Sequence, residues 1–370
     1  VGLLPVQAGD EVRQGFPELA WCSDKPDEPV CKVEHEWNIA QIRLRLSGDQ
    51  APVWGSGDEL YFVYQGAADG VFLNGGIQTM MDPLNDEHDL WGIAVRVQDR
   101  EQAIIGYGFI PIMDGIPDYE AQEFAVWRGP KAPVDPPYAE HLSGTVRTYT
   151  LDYLDDKRAV VVYLPPEHDP EQTYPVLYMA DGQLLDEMAH YIDPLIEDGT
   201  LPPLMVVGIP ASQKSQGGGD DPRAAEYLIA MGDARFYAHE KFLLDDVMPW
   251  AETEFGASAT REKRAVFGFS NGAAFAIAVG LRNPDTFGNV IAFSVAWLPF
   301  DMPDMQTDLM GRYYLEAGTL EPDFNGLTQD WAANLRSLGA DVTFHERVGG
   351  HDSTIWRAEL PDALGWIWGA

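Results

Sequence analysis

Apolar residues follow two different patterns along the chain. Up to about residue 125 they form short alternating or wholly apolar runs: Ile39 to Leu46, Leu60 to Tyr64, Trp91 to Val97 and Ala103 to Phe109. Turn-forming clusters such as Gly55-Ser56-Gly57-Asp58 and Asn74-Gly75-Gly76 separate them. Many short strands with frequent turns predict a β-sandwich, an Ig-like domain over residues 1–125. The stretch from Trp127 to Pro137 holds four prolines, which disfavour helix and central strand alike and mark residues 126–142 as a linker.

From Ser143 the pattern changes. Val146 to Tyr153 and Ala159 to Leu164 predict a hairpin entering a sheet. Further strand-like runs lie at Pro175 to Met179, Leu204 to Ile209, Ala265 to Phe269, Val290 to Val295, Tyr313 to Ala317 and Val342 to His345. Helical patterns fall between them, at Phe236 to Phe255, Gly272 to Leu281, Leu327 to Leu338 and from Ser353 onward. Strands alternating with helices predict an α/β domain over residues 143–370, with a mostly parallel sheet covered on both faces. No internal repeat is visible.

Composition narrows the function. The 370 residues are 45% hydrophobic and 11% aromatic, enough for two cores and incompatible with disorder. Against 59 acidic residues stand 24 basic ones, a net charge of −35, and this field excludes nucleic acid and anionic membrane surfaces as partners. Both parts share the excess, and the part after residue 145 alone carries a net −20. Solvated carboxylates suited to solubility in a salty medium are the expected reading, with a specific cation-binding role as the alternative. No apolar run reaches the roughly 20 residues that span a bilayer. The chain opens on Val1-Gly2 without an initiator methionine or a basic-then-apolar leader, as a processed or trimmed form would. Its two cysteines, Cys22 and Cys31, flank a turn-rich stretch that suits a local disulfide and a periplasmic or secreted location; two free thiols in the cytoplasm are the alternative.

The sharpest chemical signal is Ala265-Val266-Phe267-Gly268-Phe269-Ser270-Asn271-Gly272-Ala273-Ala274, in which a strand-like run meets Gly-x-Ser-x-Gly and continues into an Ala-rich helix. On a strained strand-to-helix turn the two glycines allow close chain packing, and the serine is held out toward substrate. The helix start adds N–H groups beside a developing oxyanion. A serine needs a base, and His351, after Gly349-Gly350 and just beyond a late strand, has the setting that His345 and the other six histidines lack. The orienting acid belongs between them in chain order. Glu321, on the loop after Tyr313 to Ala317, is the first choice, with Glu316 and Asp323 in reserve. Asn271 and Gln183, the latter in the turn Asp181-Gly182-Gln183, are the candidate oxyanion-hole donors.

Motifs for zincins, Cys-x-x-Cys sites, phosphate loops and full Ca2+ loops do not occur. The acids between Asp82 and Asp89 read as a hydrated loop. No metal and no cofactor are called for.

With these residues placed, the C-terminal two-thirds resembles the enterochelin esterase-like branch of the α/β-hydrolases, relatives of feruloyl esterases and mycolyltransferases. The likeness rests on Tyr174 to Gln183, Arg223 to Leu228, Gly268 to Gly272, Leu315 to Pro322 and Val348 to Arg357, in that order. It implies an α/β-hydrolase fold, Ser270 as nucleophile, His351 as base, Glu321 as acid, backbone N–H groups of Gln183 and Asn271 as oxyanion hole, and an N-terminal β-sandwich. Arg223 and Arg357, with Asp181 and Trp356, are candidate substrate-binding residues. The siderophore hydrolysed by the namesake enzymes is a multiply negative ferric complex, which a domain of net −20 repels unless these arginines compensate.

The expected activity is therefore that of a serine carboxylic-ester hydrolase working through an acyl-enzyme on a small-molecule or carbohydrate ester, and a homodimer is compatible with it. If the substrate is a feruloyl or acetyl sugar, the sandwich would bind carbohydrate, with Trp54 or Trp91 as the stacking platform. An acyltransferase and a non-catalytic binding protein on a hydrolase scaffold are the rivals. The Gly-rich loop from Ser212 to Asp221 is expected to rim the pocket.

Overall fold

Three β-sheets appear in a computed structural model of the chain, which describes residues 15–48, 50–154, 156–212, 221–231, 233–297 and 311–369. Most of the expected rim loop, residues 213–220, lies outside the described residues. The chain divides into two compact units. The first comprises the residues up to Val134 together with two short later segments, Gly318–Pro322 and Arg347–Ile355; the second comprises the rest.

The first unit begins with β1 (Val30–Lys32), helix α1 (Ile39–Ser47), β2 (Val53–Ser56), β3 (Glu59–Gln65), β4 (Gly70–Gly75), β5 (Thr79–Met80) and β6 (Asp82–Pro83). After these come β7 (Leu90–Val97), β8 (Ile104–Met113), β9 (Ile116–Pro117) and β10 (Ala125–Arg128). They form two antiparallel sheets, ordered β1-β7-β3-β2 and β10-β8-β4-β5, with β6 beside β7 and β9 beside β8. Leu60 and Phe62 of one sheet share an apolar cluster with Val71, Leu73 and Ile105 of the other, each essentially inaccessible to water. A disulfide joins Cys22 to Cys31.

Two readings from the pattern are corrected here. Ile39 to Leu46 is a helix. The alternation of Ile42, Leu44 and Leu46 resembles a strand, but Ile39, Ile42 and Leu46 also repeat at helical spacing, and the Asn38 side chain caps the start by accepting from the Gln41 N–H at 3.1 Å. Leu44 is left 73% exposed. Trp127 and Arg128, assigned to the linker, complete β10, which pairs with Ile104 to Tyr107 of β8. The prolines begin only at Pro130, so nothing in Ala125–Arg128 denies the ladder an N–H.

The second unit is built on β11 (Thr145–Tyr153), β12 (Asp156–Leu164), β13 (Val176–Ala180), helix α2 (Leu185–Glu197), β14 (Met205–Ile209), and helices α3 (Pro222–Tyr227), α4 (Asp233–Lys241) and α5 (Met248–Phe255), the last two joined by a π-helical turn over Phe242–Val247. It continues with β15 (Arg264–Phe269), α6 (Asn271–Arg282), β16 (Asn289–Phe293), β17 (Arg312–Gly318), α7 (Pro322–Ser337), β18 (Asp341–Arg347) and α8 (Ser353–Trp368). The eight strands lie in one sheet ordered β11-β12-β14-β13-β15-β16-β17-β18. β11, β12 and β14 pair antiparallel, and the run from β14 through β17 is parallel. Its central strands are buried along their whole length, as strands covered on both faces must be. Helix α6 is buried from Gly272 to Leu281, which explains its Ala-rich sequence: larger side chains would hold it off the sheet. No described helix is long and apolar enough to cross a membrane.

Candidate active site

Ser270 stands between β15 and α6 with φ 56° and ψ −125°, a left-handed conformation that an L-residue adopts at a cost of about 1–3 kcal/mol. Hydrogen bonds over-determine the turn. The Ser270 N–H donates to Phe293 O at 2.9 Å, and Ser270 O accepts from Ala273 N at 3.0 Å. Gly268 has no room for a side chain, and Gly272 has little. A Cβ on Gly268 would fall 2.1 Å from Gly272 O, and one on Gly272 would meet Ala180 Cβ at 3.1 Å and Asp181 Oδ2 at 3.2 Å. Ser270 and Asn271 remain half-buried, and the Ser270 side chain does not cap the helix. One residue upstream, the Phe269 ring stacks on Trp356 at 4.4 Å and 13°, and Trp356 Nε1 donates to Ser294 Oγ at 2.7 Å.

The turn after β13 is fixed by charge. Asp181, left-handed at φ 55° and buried, receives both prongs of Arg223: Nε to Oδ1 and Nη2 to Oδ2, each at 2.8 Å. Arg223 Nη2 also reaches Phe269 O at 3.4 Å, so one guanidinium ties this turn to the serine turn. Burial pulls the Arg223 pKa down, but the hydrogen bonds and charge of Asp181 outweigh it and raise the net value. The Asp181 N–H donates to Tyr227 Oη at 2.8 Å, and burial pushes that phenol well above its ordinary value. Gln183 sits at the exposed tip, its Nε2 donating to Asp181 Oδ1 at 3.2 Å and its Oε1 accepting from Ala211 N at 3.0 Å.

Within the first unit, His351 Nδ1 lies 2.6 Å from Glu321 Oε2. The other carboxylate oxygen of Glu321 accepts from Gly318 N at 2.7 Å, and the glutamate side chain is almost fully buried. The two loops are laced by backbone: Thr319 N donates to Arg347 O at 2.8 Å and Leu320 N to Gly349 O at 2.9 Å. The His351 loop is also anchored to β8. Ile104 N donates to Val348 O at 2.8 Å, Gly106 N reaches Asp352 Oδ2 at 3.3 Å, and Asp352 Oδ1 accepts from Thr354 N at 2.6 Å. With Nδ1 engaged by a carboxylate, the imidazole presents Nε2 as its basic nitrogen.

The structure thus pairs His351 with Glu321 and Asp181 with Arg223. Glu316 lies buried on β17, and Asp323 begins α7. Of the candidate substrate-binding residues, Trp356 is buried against Phe269, Arg223 is clamped by Asp181, and Arg357 is paired with Glu187. Sequence reasoning missed the anchoring role of Asp352 and its contacts with Gly106 and Gly76. Its place directly after His351 was the one available signal. His239, in α4, is buried between Tyr227 and Phe275, and burial lowers its pKa to about 4.

The eight-stranded, mostly parallel sheet with its interleaved helices has the α/β-hydrolase-like fold, and it carries Ser270 at a strained strand-to-helix turn. The family model described as "Putative esterase" matches residues 152–367, more than half of the chain, and the chain belongs to that family. It is a carboxylic-ester hydrolase. Among curated proteins it is 27% identical over 259 residues to an iron(III) enterobactin esterase of Dickeya dadantii, covering 63% of this chain and 56% of that protein. It is 22% identical over 253 residues to the uncharacterized protein YjcH of Bacillus subtilis, covering 60% of this chain and 97% of that one. The crystal structure of the Shigella flexneri enterobactin esterase in the presence of enterobactin superposes with a TM-score of 0.65 at 19% identity, covering 85% of this chain and 95% of that one. The shared fold therefore extends beyond the sheet of the second unit.

Proposed function

We propose that the protein is a serine esterase acting through an acyl-enzyme on Ser270. Ser270 Oγ attacks the ester carbonyl while His351 Nε2 takes its proton, and Glu321 holds the imidazole in the required tautomer. The tetrahedral oxyanion accepts hydrogen bonds from the backbone N–H groups of Asn271 and Gln183. The C–O bond to the alcohol breaks, the alcohol leaves with the proton from His351, and water repeats the cycle to release the acid. The observation that carries the reading is the 2.6 Å pairing of His351 Nδ1 with Glu321, in a chain whose only Gly-x-Ser-x-Gly sits at a left-handed serine turn.

We read the two N-terminal sheets, which run to Arg128 at the end of β10, as a β-sandwich domain, followed by a linker up to residue 142 and a hydrolase domain from 143. The disulfide supports a periplasmic or secreted location. As for substrate, the Dickeya dadantii relative is an iron(III) enterobactin esterase, but in this chain Arg223 and Arg357, the two arginines that would offset the negative field, are engaged by Asp181 and Glu187. An uncharged carboxylic ester fits this chain better than a multiply anionic ferric complex. The Ser270→Ala variant is expected to lose about 10⁴–10⁶-fold in kcat for p-nitrophenyl acetate and all labelling by a fluorophosphonate probe, with an unchanged melting temperature. Near-wild-type turnover in that variant removes Ser270 from the mechanism.

A further inference from the structure

The first unit contains a feature that ester hydrolysis does not use. Two adjoining clefts, about 540 and 490 Å³ in volume, share the segment His35–Trp37 as a common wall. One runs from Trp21 and Lys32 past His35 to Asp82, the other from Trp37 along α1 to Trp54.

The aromatic rings here differ in availability. Trp91 is 3% exposed and part of the core, so it is no platform. Trp54 stacks on Tyr61 at 5.3 Å and 22°, and the Arg45 guanidinium lies 4.5 Å from its centroid, so its surface is already used. Trp21 is 40% exposed, with the Lys32 ammonium 5.7 Å from its centroid and no ring stacked on it among the described residues. Trp37 lines both clefts and meets His35, Trp54 and Tyr61 edge to face, without stacking on any of them.

The Trp21 wall is held rigidly. Cys22 N donates to Lys32 O at 2.9 Å, Lys32 N donates to Ala20 O at 2.8 Å, and the disulfide to Cys31 closes the loop beside them. A pre-formed wall spares a ligand most of the ordering cost of binding. Lys32 cannot serve as an anion receptor: its ammonium is bonded to Glu18 and its side chain is 7% exposed. The cleft is also lined by the imidazole of His35 and by the carboxylates of Glu34 and Glu36, with Asp82 at its far end.

One exposed and one half-buried indole bordered by carboxylates suit one ligand chemistry. The C–H face of a sugar ring packs on an aromatic ring, and its hydroxyls donate to carboxylate oxygens. Uronate and sulfate groups are repelled by the same carboxylates. We propose that this cleft binds a neutral oligosaccharide segment and so anchors the enzyme to polysaccharide. The site is independent of the Ser270 assignment and stands if that assignment fails.

The test is affinity electrophoresis of the full chain through native gels containing arabinoxylan, mixed-linkage β-glucan or galactomannan, with polygalacturonate as the acidic control. Retardation is expected from at least one neutral polymer and not from polygalacturonate. Trp37→Ala and Trp21→Ala should each weaken it at least about tenfold while melting like the wild type, and Ser270→Ala should be retarded normally. Should Trp37→Ala fail to fold, the exposed Trp21→Ala decides. Free migration in all three neutral polymers, preferential retardation by polygalacturonate, or wild-type affinity in the folded tryptophan variants each overturns the proposal.

Discussion

Replacing Gly350 with alanine tests how the proposed base is held. The position lies outside the left-handed region, so an alanine is conformationally allowed and only its surroundings object. A Cβ there would fall 1.7 Å from Gly76 O, 2.5 Å from Gly76 C and 2.8 Å from Gly76 Cα. All three are backbone atoms, and Gly76 cannot rotate aside because its N–H donates to Gly106 O at 2.9 Å. Restoring ordinary contact needs an opening of about 1.5 Å, and overpacking of this kind costs about 1–3 kcal/mol. The clash must then displace the loop that continues into His351 against its own anchoring bonds, and a displacement of about 1 Å at a reacting group lowers turnover about 10²-fold. Activity should therefore fall further than stability. The assay is kcat/KM for p-nitrophenyl acetate alongside a thermal melt, with Gly326→Ala as control, since a Cβ at Gly326 meets nothing within 4 Å. A Gly350→Ala enzyme within threefold of wild type and melting normally would show that the loop is not held as described.

Three further outcomes follow from the site. Glu321→Gln keeps the shape of the acid but removes the charge facing His351, and kcat should drop about 10²–10⁴-fold with little change in melting; a drop under threefold refutes the acid assignment. Asp181→Asn strands the Arg223 charge in a site only 27% exposed, and should cost about 1–3 kcal/mol by urea titration and lower kcat more than it raises KM. Unchanged stability and kcat would show that the clamp holds nothing. His239 binds a proton in the unfolded chain near pH 6.5 but in the folded protein only near 4, so its contribution is present above pH 6.5 and is lost as pH falls toward 4. His239→Phe should then spare about 2 kcal/mol of the stability that the wild type loses between pH 7 and pH 5, read from urea midpoints at the two pH values.

The hydrolase sheet was legible because its strands are short apolar runs separated by helical periods, and because Ser270, Glu321 and His351 keep a fixed chain order around it. Strand after strand from Val176–Ala180 to Asp341–Arg347 lies within a residue or two of its expected place. The N-terminal third was harder. Alternation in Ile39 to Leu46 suits strand and helix alike, and the deciding feature was one capping side chain, Asn38. Trp54 and Trp91 could not be told apart by composition: one lies half-buried at a cleft, the other in the core. The anchoring of Asp352 was illegible in principle. It depends on Gly76 and Gly106 arriving beside a loop some 250 residues later, and no local pattern encodes that meeting.

The composition of the first unit carries a practical consequence. The segments bearing Glu321 and His351 group with the N-terminal strands, although they follow strands of the other sheet. A protease nick in the proline-rich stretch, with the amino-terminal fragment washed away, would leave every strand of the large sheet intact and yet strip both segments of their footing. Loss of turnover after such trimming would then trace to the footing of Glu321 and His351 and not to any broken strand.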